Sequence, residues 1–355
     1  MKNLDKYLSL LSDGQGLLLT SRYSRHYGAE FDIAEGVAIV SKNGCRYFTD
    51  SRYIESAQNG LKGFEVLDIA PVGYIQRLND AIVDFGITEL GFEEPFLTYE
   101  DFMLYEKHLN CKLVPRNAEI NGFRGTKEDW ELELMRKAQS ITDKAFTEVI
   151  GRIKVGMTEL ELQAELIYCL YKNGATGLAF DPIVVSGPNT SLPHGVAGER
   201  KIQAGDFVTM DYGASYMGYC SDMTRTVAVG FATEEMQTVY NTVLKAQLAG
   251  LAVSKAGVPG VEIDATARKV ITDAGYGEYF GHGYGHSLGL EIHEAPNPNP
   301  RNPNPMPLKA VASAEPGIYL PGKFGVRIED TCVYLENGVE ILTKSPKELI
   351  VVPVE

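Results

Sequence analysis

The chain has little of what marks several classes of protein. Against 47 Asp and Glu it sets only 33 Lys and Arg, a formal net charge of −14. It therefore lacks the clustered positive charge that nucleic acid or an anionic membrane surface requires, and small molecules, peptides or cations are the expected partners. Cysteine is sparse: Cys45, Cys111, Cys169, Cys220 and Cys332 are widely spaced, odd in number and form no Cys-x-x-Cys pair. A reduced, cytoplasmic compartment is the simplest reading. Long apolar runs are missing too. The opening stretch "MKNLDKYLSLLSDGQGLLLT" carries acids inside its apolar residues, so neither a signal peptide nor a membrane span is expected.

What is present is an ordinary globular composition, 44% hydrophobic and 23% charged, over 355 residues. That length suits two cores better than one. In the first third, strand-like and helix-like runs alternate. "EGVAIVSKNGCRYFTD" reads as a hairpin turning at Asn43-Gly44. "FEVLDI", "TELGF" and "CKLVP" read as strands between the helical patterns "IQRLNDAIVDF" and "YEDFMLYEKHL". An α/β domain over residues 1–123 is predicted, with a Gly- and charge-rich linker near 120–127 and a second domain over 124–355.

The second domain repeats itself. "VGMTELELQAELIYCLYKNGA" from Val155 aligns with "AGVPGVEIDATARKVITDAGY" from Ala256, pairing Gly156 with Gly257 and Gly174 with Gly275. A long amphipathic helix precedes each copy and a β-hairpin follows it. A pseudo-two-fold domain is predicted, two halves closing on one sheet core.

Acids sit in both hairpins. If "DFVTMDYG" and "YCSDMTRTVAV" pair around Tyr216-Met217, Asp211 and Asp222 stand directly opposite each other on one face. The second hairpin, "ASAEPGIYLPGKFGVRIEDT", centres on Gly322 and brings Glu315 opposite Glu329 in the same way. Directly opposed like charges destabilise a sheet. At about 4 Å and an effective dielectric near 20, each repulsion is on the order of 4 kcal/mol. Four such carboxylates near one axis call for cations, and two divalent ions balance their charge. Histidines suited to join them lie in "YFGHGYGHSLGLEIHEAP", at His282 and His286. Two metals a few Å apart would activate a bridging water or hydroxide and polarise a carbonyl, as amide hydrolysis demands.

"MDYGASYMGYCSDMTRT", "GHGYGHSLGLEIHE", "EPGIYLPG" and "GVRIEDT" resemble the successive motifs of the pita-bread metallopeptidases, in particular their Xaa-Pro dipeptidase and aminopeptidase P branch. "SGPNTSLPHG" resembles a further substrate-site motif, and the region around "YFTDSRYIESA" is similar to a creatinase-type N-terminal domain. The resemblance implies an α+β fold, a creatinase-like α/β domain followed by a pita-bread catalytic domain with a curved antiparallel sheet. It implies a dinuclear site with Asp211, Asp222, His286, Glu315 and Glu329 as ligands, Asp222 and Glu329 bridging. Manganese is the expected ion, with cobalt, zinc or iron as alternatives. His194 and His293 would face the substrate and stabilise the tetrahedral intermediate, Glu315 would take a proton from the attacking water, and Arg327 would orient a carboxylate. The implied activity is removal of an N-terminal residue preceding proline, by an enzyme that is a homodimer. A metal-free binding module and a creatinase-like C–N hydrolase are the alternatives.

The chain departs from that pattern in four places. Ser287 replaces the glycine usual after the ligand histidine, and Tyr284 stands where a smaller residue is common. "PLKAVASAEPG" is short, without its Gly-Met pair. Asn297 stands where similar prolidases carry an arginine that holds a dipeptide's carboxylate. The loop "NPNPRNPNP" after it is expected to be a rigid surface loop. Arg301 within that loop is a candidate replacement for the missing clamp.

Overall fold

The structure is a computed structural model describing residues 2–354. The chain divides into two compact units between Arg124 and Gly125. In the first, a six-stranded sheet runs in the order Glu65–Asp68, Gly44–Thr49, Val37–Ser41, Gln15–Leu19, Glu89–Phe92, Lys112–Pro115. The three middle strands of that sequence, from Gly44–Thr49 to Gln15–Leu19, pair antiparallel, and the outer pairings are parallel. Helices Ile54–Gly60 and Tyr99–His108 provide the crossovers of the two outermost parallel pairs, and Gly73–Asp84 carries the chain from one edge of the sheet toward the other. The apolar faces of these elements bury Leu18, Ile39, Phe48, Leu78, Ile82 and Leu90.

One local expectation changes. The first hairpin is present, but Ser41 pairs with Gly44, so its turn residues are Lys42 and Asn43. Asn43 is held there by its N–H donating to Ser41 Oγ (3.2 Å) and its side-chain amide donating to Phe85 O (2.8 Å). Residues near 120–127 do contain the boundary between the units, and they are ordered: Asn117–Gly122 is a short helix and Phe123–Gly125 a 3₁₀ turn. Buried Ile120 gives that helix an apolar anchor.

The second unit shows the repeat directly. Long helices Asp129–Val149 and Glu234–Val253 each precede a 14-residue helix, Glu159–Lys172 and Gly260–Asp273. Thr158 and Glu161 form the capping box of the first short helix, and Pro259 takes the equivalent position in the second. Gly156 and Gly257 share φ +88°. Their N–H groups donate to Ile202 O and Met306 O, both at 2.8 Å. Each half has its own core, one containing Phe146, Leu166 and Val208, the other Val243, Ile263 and Val326. Among the described residues no helix is long and apolar enough to cross a membrane.

Strands Ile183–Ser186, Phe207–Tyr212, Met223–Val229 and Val351–Val352 form one sheet, antiparallel except for the last pairing. In the other half Val311–Ala314 pairs with Asp330–Leu335, and Gly317–Leu320 with Phe324–Arg327. Met223–Val229 links the halves. Glu329 N–H donates to Thr224 O (3.1 Å), and Thr226 Oγ1 donates to Arg327 O (3.0 Å).

The two hairpin registers come out differently. The second is as expected: Gly317 pairs with Arg327 and Ala314 with Asp330, one register running through both ladders with Glu315 and Glu329 at the break between them. The first is shifted. Tyr216 pairs with Tyr219 and Asp211 with Thr224, so the turn is Met217-Gly218, not Tyr216-Met217. Met217 (φ 50°) and Gly218 (φ 85°) both take positive φ, the combination a two-residue hairpin turn needs. Because the shift is two residues, it preserves the face: Asp222 lies two positions before Thr224 and so remains on the side of Asp211, diagonal to it.

Candidate active site

Strand Phe207–Tyr212 presents Asp211, and the extended link before Met223–Val229 presents Asp222. Glu315 and Glu329 come from the break in the second hairpin. His286 lies on a segment running beside Val311–Ala314, with Ser313 N–H donating to His286 O (2.8 Å) and Leu288 N–H to Val311 O (3.1 Å). Gly285 permits that approach, since a Cβ there would stand 2.1 Å from Ser313 O. The five expected ligands thus line one cavity of about 830 Å³, together with His194 and His293. His194 and His293 are exposed within it, and the His293 ring centroid is 4.4 Å from that of His286.

Neighbouring side chains fix the acids. Thr224 Oγ1 donates to Glu329 Oε2 (2.6 Å), and Ser313 Oγ donates to Glu315 Oε1 (3.0 Å). The Arg327 guanidinium donates to Asp211 Oδ2 (2.6 Å), Thr224 Oγ1 (2.9 Å) and Tyr319 OH (2.8 Å). His282 Nδ1 lies 2.9 Å from Gly283 O and must donate to it, so Nε2 accepts from Tyr319 OH at 2.9 Å. Of these, Thr224, Ser313 and Tyr319 were missed by the sequence reading. A two-residue step could have found the first two: Thr224 follows Asp222 by two positions and Ser313 precedes Glu315 by two, each on its acid's face.

The electrostatics show what the protein's own groups leave unresolved. Burial pushes the Asp222 carboxyl up to about 7, reinforced by Asp211 and Glu315. Burial raises Glu329 well above the carboxylate range, with Asp222 and Glu315 adding to it. Asp211 is raised by burial against the pull of Arg327. Burial works against charge on His286, yet contacts with Asp222 and Glu315 overcome it and raise the imidazole to about 9. Burial lowers His293, helped by His286, so its ring is neutral near pH 7.

Three carboxylate oxygens, Asp211 Oδ1, Asp222 Oδ1 and Glu329 Oε1, are buried without a hydrogen-bond partner among the described residues. Donor atoms of Asp222, His286 and Glu329 lie within 4.8 Å of one another. His286 Nδ1 is 3.3 Å from Ser287 O, while Nε2 faces Asp222 Oδ2 at 3.4 Å and Glu315 Oε1 at 3.3 Å. A neutral imidazole donating through Nδ1 would aim its Nε2 lone pair at carboxylate oxygens, a repulsive contact that a cation between them makes favourable. Orphaned buried acids, and a histidine that faces two carboxylates by keeping a proton a cation could replace, fit divalent metal ions.

The four departures have local explanations. Ser287 and Asn297 act together: Ser287 N–H donates to Asn297 Oδ1 (2.8 Å) and its hydroxyl to Pro296 O. Tyr284 is fully buried, its hydroxyl donating to Gln247 O (2.9 Å), and Gly250 makes room for its ring. The shortened approach to Val311–Ala314 turns through Lys309 at φ 61°. The loop expected to be a surface feature is also a wall of the cavity, contributing Asn297, Asn299, Pro300 and Arg301.

Comparison with known proteins agrees with this geometry. Residues 133–336 match the Metallopeptidase family M24 profile and residues 10–125 the Creatinase/Prolidase N-terminal domain. The chain is 41% identical over 337 residues, 95% of each chain, to the uncharacterized peptidase YqhT of Bacillus subtilis. A solved Xaa-Pro dipeptidase from Bacillus anthracis is 42% identical with a TM-score of 0.94, covering 99% of both chains. An X-Pro aminopeptidase from Thermotoga maritima is 37% identical with a TM-score of 0.92, covering 98% of this chain and 99% of its own. Two hairpins of acids, a histidine segment between them and these matches lead to one conclusion: the chain belongs to metallopeptidase family M24, with a creatinase/prolidase-type N-terminal domain.

Proposed function

We propose that this metallopeptidase hydrolyses the bond between an N-terminal residue and a following proline, as an Xaa-Pro aminopeptidase or dipeptidase. The reading rests on the convergence of three orphaned buried carboxylate oxygens with His286 in one peptide-sized cavity. The choice of proline follows the solved Xaa-Pro enzymes whose sequences and folds the chain shares.

Asp211, Asp222, His286, Glu315 and Glu329 would hold two divalent ions, whose four-fold positive charge matches the four carboxylates. Bound there, such ions lower the pKa of water and polarise the scissile carbonyl. The remaining work falls to the chain. Arg327 and Thr224 hold Asp211 and Glu329 in fixed orientations, so the acids need not reorganise during reaction. Glu315, oriented by Ser313 and open to the cavity, takes the proton from the attacking water. His194 and His293 stand on the cavity wall, and neutral His293 can donate an N–H to the oxyanion as charge develops.

The test is direct. Purified protein supplied with Mn²⁺ or Co²⁺ should cleave Xaa-Pro dipeptides or Xaa-Pro-Yaa tripeptides and spare matched Xaa-Ala peptides, and removal of metal by a chelator should stop it. Failure to cleave any Xaa-Pro substrate in either metal rejects the proposal.

A further inference from the structure

One buried guanidinium of the second unit lies off the cavity wall, against the main chain of the ligand strands, and the reaction gives it no part. Arg225 follows Thr224 and is 1% exposed. All five of its N–H donors are spent. Nη1 donates to Thr224 O (2.9 Å) and Glu329 O, Nη2 to Asp330 Oδ1 (2.8 Å) and Ser345 O (2.8 Å), and Nε to Pro346 O (2.9 Å). Ion pairs buried this deeply are a poor source of stability, because desolvation offsets their attraction. What this one provides is position.

Three of its acceptors belong to the ligand strands. Glu329 N–H donates to Thr224 O (3.1 Å), Arg225 donates to Glu329 O, and Thr224 Oγ1 donates to Glu329 Oε2. Glu329 is thus held by both sides of its main chain and by its carboxylate. The other two acceptors belong to a strap. Residues 342–350 cross from strand Gly338–Ile341 of one half to Val351–Val352, which pairs with Met223–Val229 of the other. Asp143 fixes their path, its carboxylate accepting from Lys344 N–H (3.0 Å), Ser345 N–H (2.8 Å) and Ser345 Oγ (2.6 Å). Lys347 Nζ lies 2.5 Å from Asp330 Oδ2, an ion pair rather than an aligned hydrogen bond. It also donates to Gln247 Oε1 (3.2 Å), whose amide donates to Ala314 O (3.4 Å), next to Glu315.

From this we propose that Arg225, braced by Asp330 and the strap, is a positioning residue of the metal centre: it sets where Glu329 stands, through Thr224 and the main chain, and keeps no N–H for substrate. The assignment rests on the metal reading of the site and is independent of the preference for proline. A ligand fixed from behind in this way is preorganised, so the ions bind without first drawing the two halves' strands together.

The experiment compares wild-type protein with Arg225→Lys, Lys347→Met and Arg136→Met. Arg136 is the control: its ion pair with Glu340 (2.6 Å) also joins the two halves but touches no neighbour of a ligand. Each protein is titrated with Mn²⁺ by calorimetry, loaded with Co²⁺ for its visible absorption spectrum, and denatured without metal. Arg225→Lys keeps the charge but supplies three N–H donors in place of five. It should weaken Mn²⁺ binding about 10- to 100-fold and alter the Co²⁺ spectrum. Lys347→Met, one contact further out, should weaken binding about three- to ten-fold. Arg136→Met should leave both metal readouts unchanged, whatever it does to the denaturation midpoint. Arg225→Lys that binds Mn²⁺ as the wild type does, or a loss of affinity in Arg136→Met as large as in Lys347→Met, overturns the assignment and leaves the metal reading standing. If Arg225→Lys does not fold, Lys347→Met decides alone, and wild-type affinity there overturns the assignment. Wild-type protein that binds no Mn²⁺ overturns both.

Discussion

Thr224 carries no charge, yet three parts of the site meet at its hydroxyl. It donates to Glu329 and accepts from the Arg327 guanidinium, which in turn holds Asp211. Thr224→Val keeps the shape and removes that junction, leaving a buried carboxylate oxygen and a buried guanidinium N–H each without a partner. Mn²⁺ affinity, read by isothermal titration, should fall about 10- to 100-fold, with Thr224→Ser close to wild type. A Thr224→Val protein binding Mn²⁺ as the wild type does would show that Glu329 needs no such brace. The charged members of this site were legible in the sequence because acids on apolar strands demand a reason. Thr224, Ser313 and Tyr319 were not, because a hydroxyl on a strand is unremarkable until its partner is placed. Arg301 was visible only as a candidate, since sequence could not tell a cavity wall from an outer surface.

The two hairpins show what spacing can and cannot specify. Glu315 and Glu329 were placed correctly because "PGKFG" leaves little doubt about where the chain turns, and Gly322 at φ +72° sits at its centre. In the first hairpin Met217 adopts φ 50°, a conformation sequence alone would not assign to methionine, and the register moved by two. The acids kept their common face only because strand alternation has a period of two. Helix packing was hidden in another way. Gly250, inside the Glu234–Val253 helix, looks like a weak point, but a Cβ there would lie 2.4 Å from Tyr284 Cζ. Gly250→Ala gains about 1 kcal/mol of helix propensity and incurs overpacking of about 1–3 kcal/mol against a fully buried ring. The larger effect should win: the thermal midpoint falls, and adding Tyr284→Leu recovers part of the loss. A midpoint that rises on Gly250→Ala would mean the ring moves aside freely.

Across the second unit as a whole, the burial of its acids couples folding, protons and metal. Without metal, Asp222 is raised from 3.8 to about 7 and His286 from 6.5 to about 9. Groups raised in this way hold protons in the folded state that the unfolded chain has already released. Their stabilisation is complete below the unfolded pKa and disappears as pH climbs through the folded one. Below about pH 6.5 the effect is opposed, because burial lowers His282 and His293, which favour folding as pH rises. From pH 6.5 to 8.5 the unfolded histidines shed the protons they still hold, while folded Asp222 and His286, at about 7 and about 9, keep theirs longer; the folded state holds the larger share, and His286 alone accounts for about 3 kcal/mol across its full titration. The chain's one tryptophan, Trp130, packs edge-on against Tyr219 within this unit, at 5.8 Å between ring centroids, and so reports on its unfolding. Chelator-treated protein followed by Trp130 fluorescence should show a denaturation midpoint that falls from pH 6.5 to 8.5. Saturating Mn²⁺ should raise that midpoint, more so at the higher pH, because the ion takes the place of the protons, and its binding should release protons into a weakly buffered solution. A metal-free midpoint that is flat or rising over this interval would show that the acids and His286 relieve one another without a cation, and the metal reading of the site would lose its physical basis.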